Sequence, residues 1–173
     1  MTTVKGPDSS KEEYLKEWID QYQGILLRTC YMYLHDTALA EDAVQETYIK
    51  AYRAMDKRNG QGSPRAWLTK IAINICRDML RSAWFSHTDR RITPDDLPEQ
   101  GTEDNPEYNE LTAEIMNLPK KLREVLILYY EQNMTMTEIA DILEISQPAV
   151  NTRLQRARNK IRNQLMKGDE EDG

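Results

Sequence analysis

The most distinctive chemistry in the sequence is a run of basic side chains near its carboxyl end. The segment 145–162, ISQPAVNTRLQRARNKIR, holds five Arg and Lys residues and no Asp or Glu, although the chain has a net charge of −6. On a helix its apolar residues form one narrow stripe, and Gln, Asn and Arg side chains occupy the opposite face between two cationic rims. Gln and Arg can bind base edges bidentately in a major groove while flanking cations contact phosphates. The pattern therefore favours a DNA-reading helix over a merely solvated one, whose surface usually mixes both signs of charge.

The residues before this segment predict a helix-turn-helix. In TEIADILEISQPAV, Ala140 provides the small side chain that two crossing helices need, and neighbouring Ile and Leu residues provide apolar contacts. Ser146 is the expected N-cap of the second helix. The stripe that this second helix should bury consists of Val150, Leu154, Ala157, Ile161 and Leu165.

A second basic face lies in the first half of the chain. Lys70, Asn74, Arg77 and Arg81 are spaced i, i+4, i+7 and i+11, so one side of a helix carries all four. The Gly-containing loop KRNGQGS precedes this helix and could hold an unstacked base, although it could equally be a simple turn. Trp67 could stack on a base, but its position beside an apolar stripe favours core packing.

A third feature is an isolated apolar side chain on a polar face. The helix predicted from Asp36 to about Met55 buries its Ala, Val and Tyr stripe, which leaves Ile49 on the opposite side with Asp42, Gln45 and Glu46. An apolar centre with a polar rim is typical of a small protein interface. A metal-dependent enzyme would need more ligands or a nucleophile near Asp42 and Glu46, so catalysis, a metal and a cofactor are not expected.

The elements that position these residues are all predicted to be helices. Few Gly residues, one Phe and a 30% charged fraction favour an all-α fold of two small helical domains. Three helices should form a domain over 11–83, with Ser63 and Pro64 starting the third at N-cap and N1. Residues 84–108 contain three Pro and seven acidic residues against two Arg, net −5, and are predicted to be a flexible acidic linker. Helices over 109–167 should form the second domain, and the acidic tail 168–173 should be disordered.

Composition also limits where the chain acts. No segment approaches the uninterrupted apolar run that a membrane span requires, so we expect a cytoplasmic protein without membrane insertion. Cys30 and Cys76 are far apart in sequence and lack a CxxC pattern, which favours packing residues over a zinc site or a disulfide.

Four segments in order resemble the bacterial extracytoplasmic-function sigma factors of the sigma-70 family. They are AEDAVQETYIKAYRAM, SPRAWLTKIAINICRDML, LPKKLREVLILYYEQ and TEIADILEISQPAVNTRLQRARNKIR. The resemblance implies a sigma-2 bundle of three to four helices that recognises and melts the minus-ten element, and a sigma-4 helix-turn-helix that reads the minus-thirty-five element. It also implies core RNA polymerase as a partner, with contacts to the beta subunit and the beta-prime clamp helices, promoter DNA as the ligand, and an anti-sigma factor that is often membrane-bound in this family.

The resemblance also assigns residues to these roles. The polymerase-binding face carries over to Asp42, Gln45, Glu46 and Ile49. The minus-ten contacts carry over to the loop residues Asn59, Gly60, Gln61, Gly62 and Ser63 and to the helix residues Lys70, Asn74, Arg77 and Arg81. The minus-thirty-five contacts carry over to Asn151, Thr152, Arg153, Gln155, Arg156 and Arg158.

Two points set this chain apart within the resemblance. Glu144 stands where the family's turn commonly has Gly, so a different turn type is expected there. The two predicted DNA-facing helices carry an excess of basic over acidic residues, although the whole chain is acidic. The acidic linker is expected to compete with phosphates for these helices, so the free chain should bind DNA weakly. The alternative function is a stand-alone helix-turn-helix regulator, which should bind duplex tightly without polymerase and would normally dimerise.

Overall fold

The structure is a computed structural model that describes residues 7–58, 62–86 and 110–171. The secondary structure of these residues is helical, and the expectation of an all-α fold is confirmed. The helices are α1 Pro7–Leu34, α2 Thr37–Ala54, α3 Pro64–Ser86, α4 Glu110–Met116, α5 Lys120–Leu126, α6 Met136–Leu143 and α7 Gln147–Glu171. A short 3₁₀ turn, Met55–Lys57, follows α2, and a π-helical turn, Ile127–Glu131, continues α5.

Helices α1 to α3 form an N-terminal unit. The side chain of Asp36 accepts a hydrogen bond from the backbone N–H of Leu39 and so caps α2, as the sequence predicted. Ser63 caps α3 through a longer contact with the N–H of Ala66, 3.5 Å. The α2 stripe of Ala, Val, Thr and Tyr side chains is buried against α1 and α3, as predicted.

Helices α4 to α7 form a C-terminal unit. The side chains of Thr135 and Glu138 each accept from the other's backbone N–H, which makes a capping box at the start of α6. Glu144 ends α6 with φ +56° and ψ +46°, the left-handed conformation that Gly usually supplies. The expectation of a different turn type is therefore wrong, because Glu adopts the left-handed turn and the C-terminal N–H groups still reach the carbonyls of Ala140 and Asp141.

The two units pack directly on each other. Helices α1 and α3 contact α5, α6 and the π-helical turn, and the buried apolar side chains of both units form one continuous cluster. Buried polar groups join the units as well. Gln132, directly after the π-helical turn, forms side-chain hydrogen bonds with Thr29 and Thr69 of the N-terminal unit.

Several predicted boundaries shift. Helix α1 begins at Pro7 instead of residue 11, and α3 continues to Ser86, beyond residue 83 where the first domain was expected to end. Helix α7 continues to Glu171, so the prediction of disorder is wrong for residues 168–171; adding residues to an existing helix costs little, because each new residue also gains a hydrogen bond. Residues 87–108 of the predicted linker and residues 172–173 lie outside the described residues.

Candidate nucleic-acid interface

Helix α7 presents the first candidate surface. Its predicted stripe lies inward, with Val150, Leu154 and Ala157 fully buried. Ser146 accepts from the N–H of Ala149 at 3.2 Å and so caps the helix as expected. The predicted contact residues lie on the outer side: Asn151, Thr152, Gln155, Arg156 and Arg158 are exposed, and Arg153 is half-buried. The helix therefore offers amide and guanidinium groups to solvent along one face.

One of these cations is held by tyrosines. Arg158 donates from Nε to the hydroxyl oxygen of Tyr130 at 2.8 Å, and its guanidinium lies 5.5 Å and 5.6 Å from the ring centroids of Tyr129 and Tyr130. The two rings meet edge to face. Sequence reasoning missed Tyr130, whose signal was an aromatic residue at the end of the apolar run VLILYY.

The basic row of α3 is divided between solvent and the C-terminal unit. Asn74 and Arg81 are exposed, and Arg81 pairs with Asp78 one turn earlier at 3.3 Å. Lys70 lies 3.9 Å from Asp141 of α6, and Arg77 lies against Glu124 of α5. The expected continuous basic face is therefore interrupted by two acidic partners from the other unit.

Arg77 is part of a buried cluster with Glu124 and Tyr33. Its Nε and Nη2 donate to the two Glu124 oxygens at 3.3 Å and 3.4 Å, and the Tyr33 hydroxyl donates to the same carboxylate. Burial, together with the adjacent Glu124 carboxylate, raises the pKa of Tyr33, so the phenol stays protonated. Burial alone would lower the pKa of Arg77, but the Glu124 carboxylate and the Tyr33 side chain together outweigh it, and that pKa is raised. Sequence reasoning missed Glu124, a charged residue inside the apolar run of α5.

The loop before α3 is described only at its edges. Asn59, Gly60 and Gln61 lie outside the described residues; Gly62 has φ +81°, and Ser63 is exposed. Arg58 donates from Nη2 to the Gly62 carbonyl at 2.6 Å and lies 5.5 Å from the ring centroids of both Trp18 and Trp67. The two indoles meet edge to face at 5.9 Å and pack on the core. Core packing of Trp67 is confirmed, and Arg58, which the sequence did not single out, bridges the loop.

The outer face of α2 is a separate surface. Ile49 is 45% exposed, with Asp42 and Gln45 exposed and Glu46 half-buried beside it. The predicted orientation of Ile49 is therefore confirmed. Leu39 lies one helical turn before Asp42 on α2 and is 40% exposed. It adds a second apolar group to this surface, which sequence reasoning missed.

Comparison with known families and proteins decides the family of the chain. Sigma-70 region 2 matches residues 18–86, and Sigma-70 region 4 matches residues 108–161. The RNA polymerase sigma factor YlaC of Bacillus subtilis is 32% identical over 88% of this chain and 92% of its own length. The ECF RNA polymerase sigma factor SigW of the same organism is 29% identical over 94% of each chain. The chain belongs to the sigma-70 family, in its extracytoplasmic-function group.

The fold agrees with this assignment. A solved structure of the sigma factor RpoE in complex with the anti-sigma factor NepR from Bartonella quintana matches with a TM-score of 0.73, covering 90% of this chain and 98% of that one at 19% identity. In this sigma factor, which directs transcription initiation, the N-terminal unit corresponds to region 2 and the C-terminal unit to region 4.

Other classes of site receive no support from the described part of this sigma factor. Within that part, no cluster of three or more His, Cys, Asp or Glu side chains could hold a metal ion, and no helix is long and apolar enough to cross a membrane. Cys30 and Cys76 are buried free thiols of the region 2 core, as the sequence predicted.

Proposed function

We propose that the two units of this sigma factor read separate promoter elements. Helix α7 reads the minus-thirty-five element as duplex, and α3 with the loop before it captures the minus-ten element. The observation that carries the proposal is the outward face of α7, because exposed amide and guanidinium groups lie opposite the buried Val150, Leu154 and Ala157.

On α7 the residues divide by position. Gln155 and Arg156 lie at the centre of the outer face, where side chains reach base edges in a major groove. Arg153 and Arg158 lie on the rims and contact phosphates, which fix register without reading sequence. Asn151 and Thr152 approach the first bases, because the amino-terminal turns of a recognition helix enter the groove.

On α3 the exposed Asn74 is the proposed receptor for a base extruded from the minus-ten element. A flipped base needs hydrogen-bonding groups for its Watson–Crick edge, and a side-chain amide provides both a donor and an acceptor. Lys70, Arg77 and Arg81 hold the adjacent phosphates. The loop residues Asn59, Gly60, Gln61, Gly62 and Ser63 complete the receptor.

The outer face of α2 binds core RNA polymerase at the beta-prime clamp helices. The exposed Ile49, with Asp42, Gln45 and Glu46 around it, has the apolar centre and polar rim of a protein interface. The beta subunit is the second polymerase contact. The protein acts in the cytoplasm as a binding protein and not as an enzyme.

An anti-sigma factor is the proposed regulatory partner. The similar RpoE structure contains the anti-sigma factor NepR, and that likeness of fold supports a comparable partner here. A membrane-bound anti-sigma factor would hold this sigma factor near the membrane without any insertion of its own.

The test is transcription from a genomic fragment library by core polymerase reconstituted with the purified sigma factor. We expect start sites that share two elements at a fixed spacing, with none from core polymerase alone. Binding of the same library without polymerase provides the comparison with a stand-alone regulator. Tight duplex binding without polymerase, together with no new start sites, would contradict the proposal.

A further inference from the structure

A tyrosine from outside the recognition helix contacts a cation on the rim of that helix. Tyr130 belongs to the π-helical turn Ile127–Glu131, and its hydroxyl oxygen accepts from the Nε of Arg158 on α7 at 2.8 Å. The Arg158 guanidinium also lies 5.6 Å from the ring centroid of Tyr130 and 5.5 Å from that of Tyr129. Arg158 is therefore held by a hydrogen bond and by two aromatic rings.

Buried neighbours fix both partners in place. Ile127 and Leu128 of the π-helical turn are buried, as are Leu154 and Ala157 of α7. Helix α5, which the turn continues, packs directly on α7. The two side chains are consequently positioned before any ligand binds, and a ligand then causes a smaller loss of rotamer entropy than it would with a mobile arginine.

The pair offers hydrogen-bond donors side by side. The bond from Arg158 uses the Tyr130 hydroxyl oxygen as an acceptor, so the phenol O–H is still able to donate, and the guanidinium has N–H groups besides Nε. Because the phenol accepts from a cation, its own O–H is polarised and becomes a better donor. Tyr130 is 53% exposed and Arg158 is exposed, so a ligand from solvent can reach both. Adjacent donors with one positive charge suit an oxyanion.

The surroundings favour the phosphate of a nucleic acid as that oxyanion. The segment 145–162 contains five Arg and Lys residues and no Asp or Glu, and Gln155 and Arg156 are exposed on the same helix. Side chains at the centre of a recognition helix reach base edges, whereas those at its margin reach the backbone. Arg158 directly follows the buried Ala157, at the margin where α7 meets the core. A backbone phosphate beside the bases that α7 reads fits this position.

We propose that Tyr130 and Arg158 bind one and the same backbone phosphate of the minus-thirty-five duplex, and that the Tyr130 hydroxyl donates to it directly. This inference rests on the proposed function of α7 and adds a ligand from outside the helix pair α6 and α7. The hydroxyl accepts from Nε, which orients the guanidinium, and donates to the phosphate, which completes the site. Neither bond reads a base, so the pair fixes the register of α7 on the duplex without selecting its sequence.

The first experiment removes only the hydroxyl. Tyr130→Phe keeps the ring beside Arg158, and Tyr129→Phe is the matched control, because it removes the same atom from the other ring that contacts this guanidinium. We measure the affinity of holoenzyme, reconstituted from core polymerase and each variant, for promoter duplexes that differ in the minus-thirty-five element. Tyr130→Phe should weaken binding to every duplex by at least about threefold, and Tyr129→Phe should match the wild type. The salt dependence of Tyr130→Phe should stay as steep as that of the wild type, because a neutral hydroxyl releases no counterion.

The second experiment locates the phosphate. Methylphosphonate linkages, which carry no charge, replace the phosphates of the minus-thirty-five duplex one at a time. Wild-type holoenzyme should lose affinity at each phosphate that it contacts, because charge-assisted hydrogen bonds to that phosphate are lost. At one position the loss should be smaller for both Tyr130→Phe and Arg158→Ala than for the wild type, while the losses at the other positions stay the same. That shared position is the phosphate that the pair binds.

Three results would overturn the inference: Tyr130→Phe binds like the wild type, Tyr129→Phe is weakened equally, or the two substitutions at Tyr130 and Arg158 change the response at different phosphates. Unchanged DNA affinity of Tyr130→Phe would leave the pair to a carboxylate of a protein partner. Arg158→Ala separates this inference from the proposed function. A loss with Arg158→Ala but not with Tyr130→Phe counts against the tyrosine alone, whereas no loss with Arg158→Ala counts against the assigned role of α7 as well.

Discussion

Arg158 of the recognition helix is held by Tyr130, whose hydroxyl oxygen accepts from the Arg158 Nε at 2.8 Å while its ring lies beneath the guanidinium. Tyr130 is 53% exposed and belongs to the π-helical turn, so the pair lies at the surface beside α7. The bond uses Nε, and the two terminal guanidinium nitrogens carry four further N–H donors. A preorganised cation of this kind suits a phosphate, whose oxygens accept from adjacent N–H groups.

We predict that Arg158→Ala weakens minus-thirty-five binding equally for all sequences. Loss of one phosphate contact should also make the dependence of affinity on salt shallower by about one counterion. Arg156→Ala is the comparison, since a base contact should cost on the order of 1–3 kcal/mol at the preferred site and relax selectivity there. Affinities of the holoenzyme across a promoter panel at several salt concentrations measure both. A selective loss for Arg158→Ala would assign it to a base instead.

A second prediction concerns Asn74, which is exposed between two cations that region 4 engages. Asn74→Ala should leave polymerase binding intact and slow open-complex formation, because unstacking a base costs a few kcal/mol that its receptor would otherwise offset. The measurement is the rate of open-complex formation on duplex promoter and on a promoter with a pre-melted minus-ten bubble. If the bubble does not rescue the variant, Asn74 is not the base receptor.

Helical periodicity and N-cap residues were sufficient to predict much of the fold. The inward stripe of α7 and the outward position of Ile49 follow from a 3.6-residue period, and Asp36 and Ser146 cap their helices because short polar side chains reach the first free N–H groups. Each of these features depends on residues within a few positions of one another. They could therefore be predicted from one sequence.

The contact between the units could not be predicted in this way. Tyr33 and Glu124 are 91 residues apart, and Thr29 and Gln132 are 103 apart, so no periodicity relates them. Glu124 was missed, because a charged residue within the apolar run of α5 does not by itself identify a partner so distant in sequence. For the same reason the sequence presented Lys70 and Arg77 as free DNA contacts, whereas the structure pairs both with acidic residues of region 4.

Glu144 gives a prediction about stability. A non-Gly residue in the left-handed conformation costs roughly 1–2 kcal/mol. A Gly variant avoids this cost, but the greater entropy of its unfolded chain cancels part of the gain. Glu144→Gly should therefore raise the free energy of unfolding by about 0.5–1 kcal/mol. Glu144→Ala is the control, since it removes the exposed side chain but retains the strained backbone. Equal stability of the two variants in urea titrations would contradict a backbone origin.

Ile49 gives a prediction about assembly. Ile49→Asp would place a carboxylate in the apolar centre of the α2 surface, where it loses water on docking. Core polymerase affinity should fall at least about tenfold, because a central interface residue can contribute 2 kcal/mol or more. The free energy of unfolding should change by no more than about 0.5 kcal/mol, since Ile49 is 45% exposed. Met166→Asp, another exposed apolar residue, controls for the added charge, and unchanged core affinity of Ile49→Asp would remove this residue from the interface.

His35 gives the last prediction, which concerns pH. The residue ends α1 at φ +58° and is 8% exposed, and burial together with the nearby positive charge of Arg123 lowers its pKa from 6.5 to about 4. The unfolded chain therefore binds a proton at His35 in a range where the folded chain does not. The stabilising contribution is fully present above pH 6.5 and is lost as the pH falls toward 4.

The magnitude and the test follow from that difference. Protonation linkage at His35 should lower the free energy of unfolding by up to roughly 3 kcal/mol between pH 7 and pH 4. His35→Asn is the matched variant, because Asn tolerates the left-handed conformation but does not titrate. Urea titrations of both proteins at intervals across this range isolate the histidine, since the acidic residues contribute equally to each. The wild-type curve should fall more steeply than the variant curve between pH 6.5 and 4, and parallel curves would show that folding does not lower the pKa of His35.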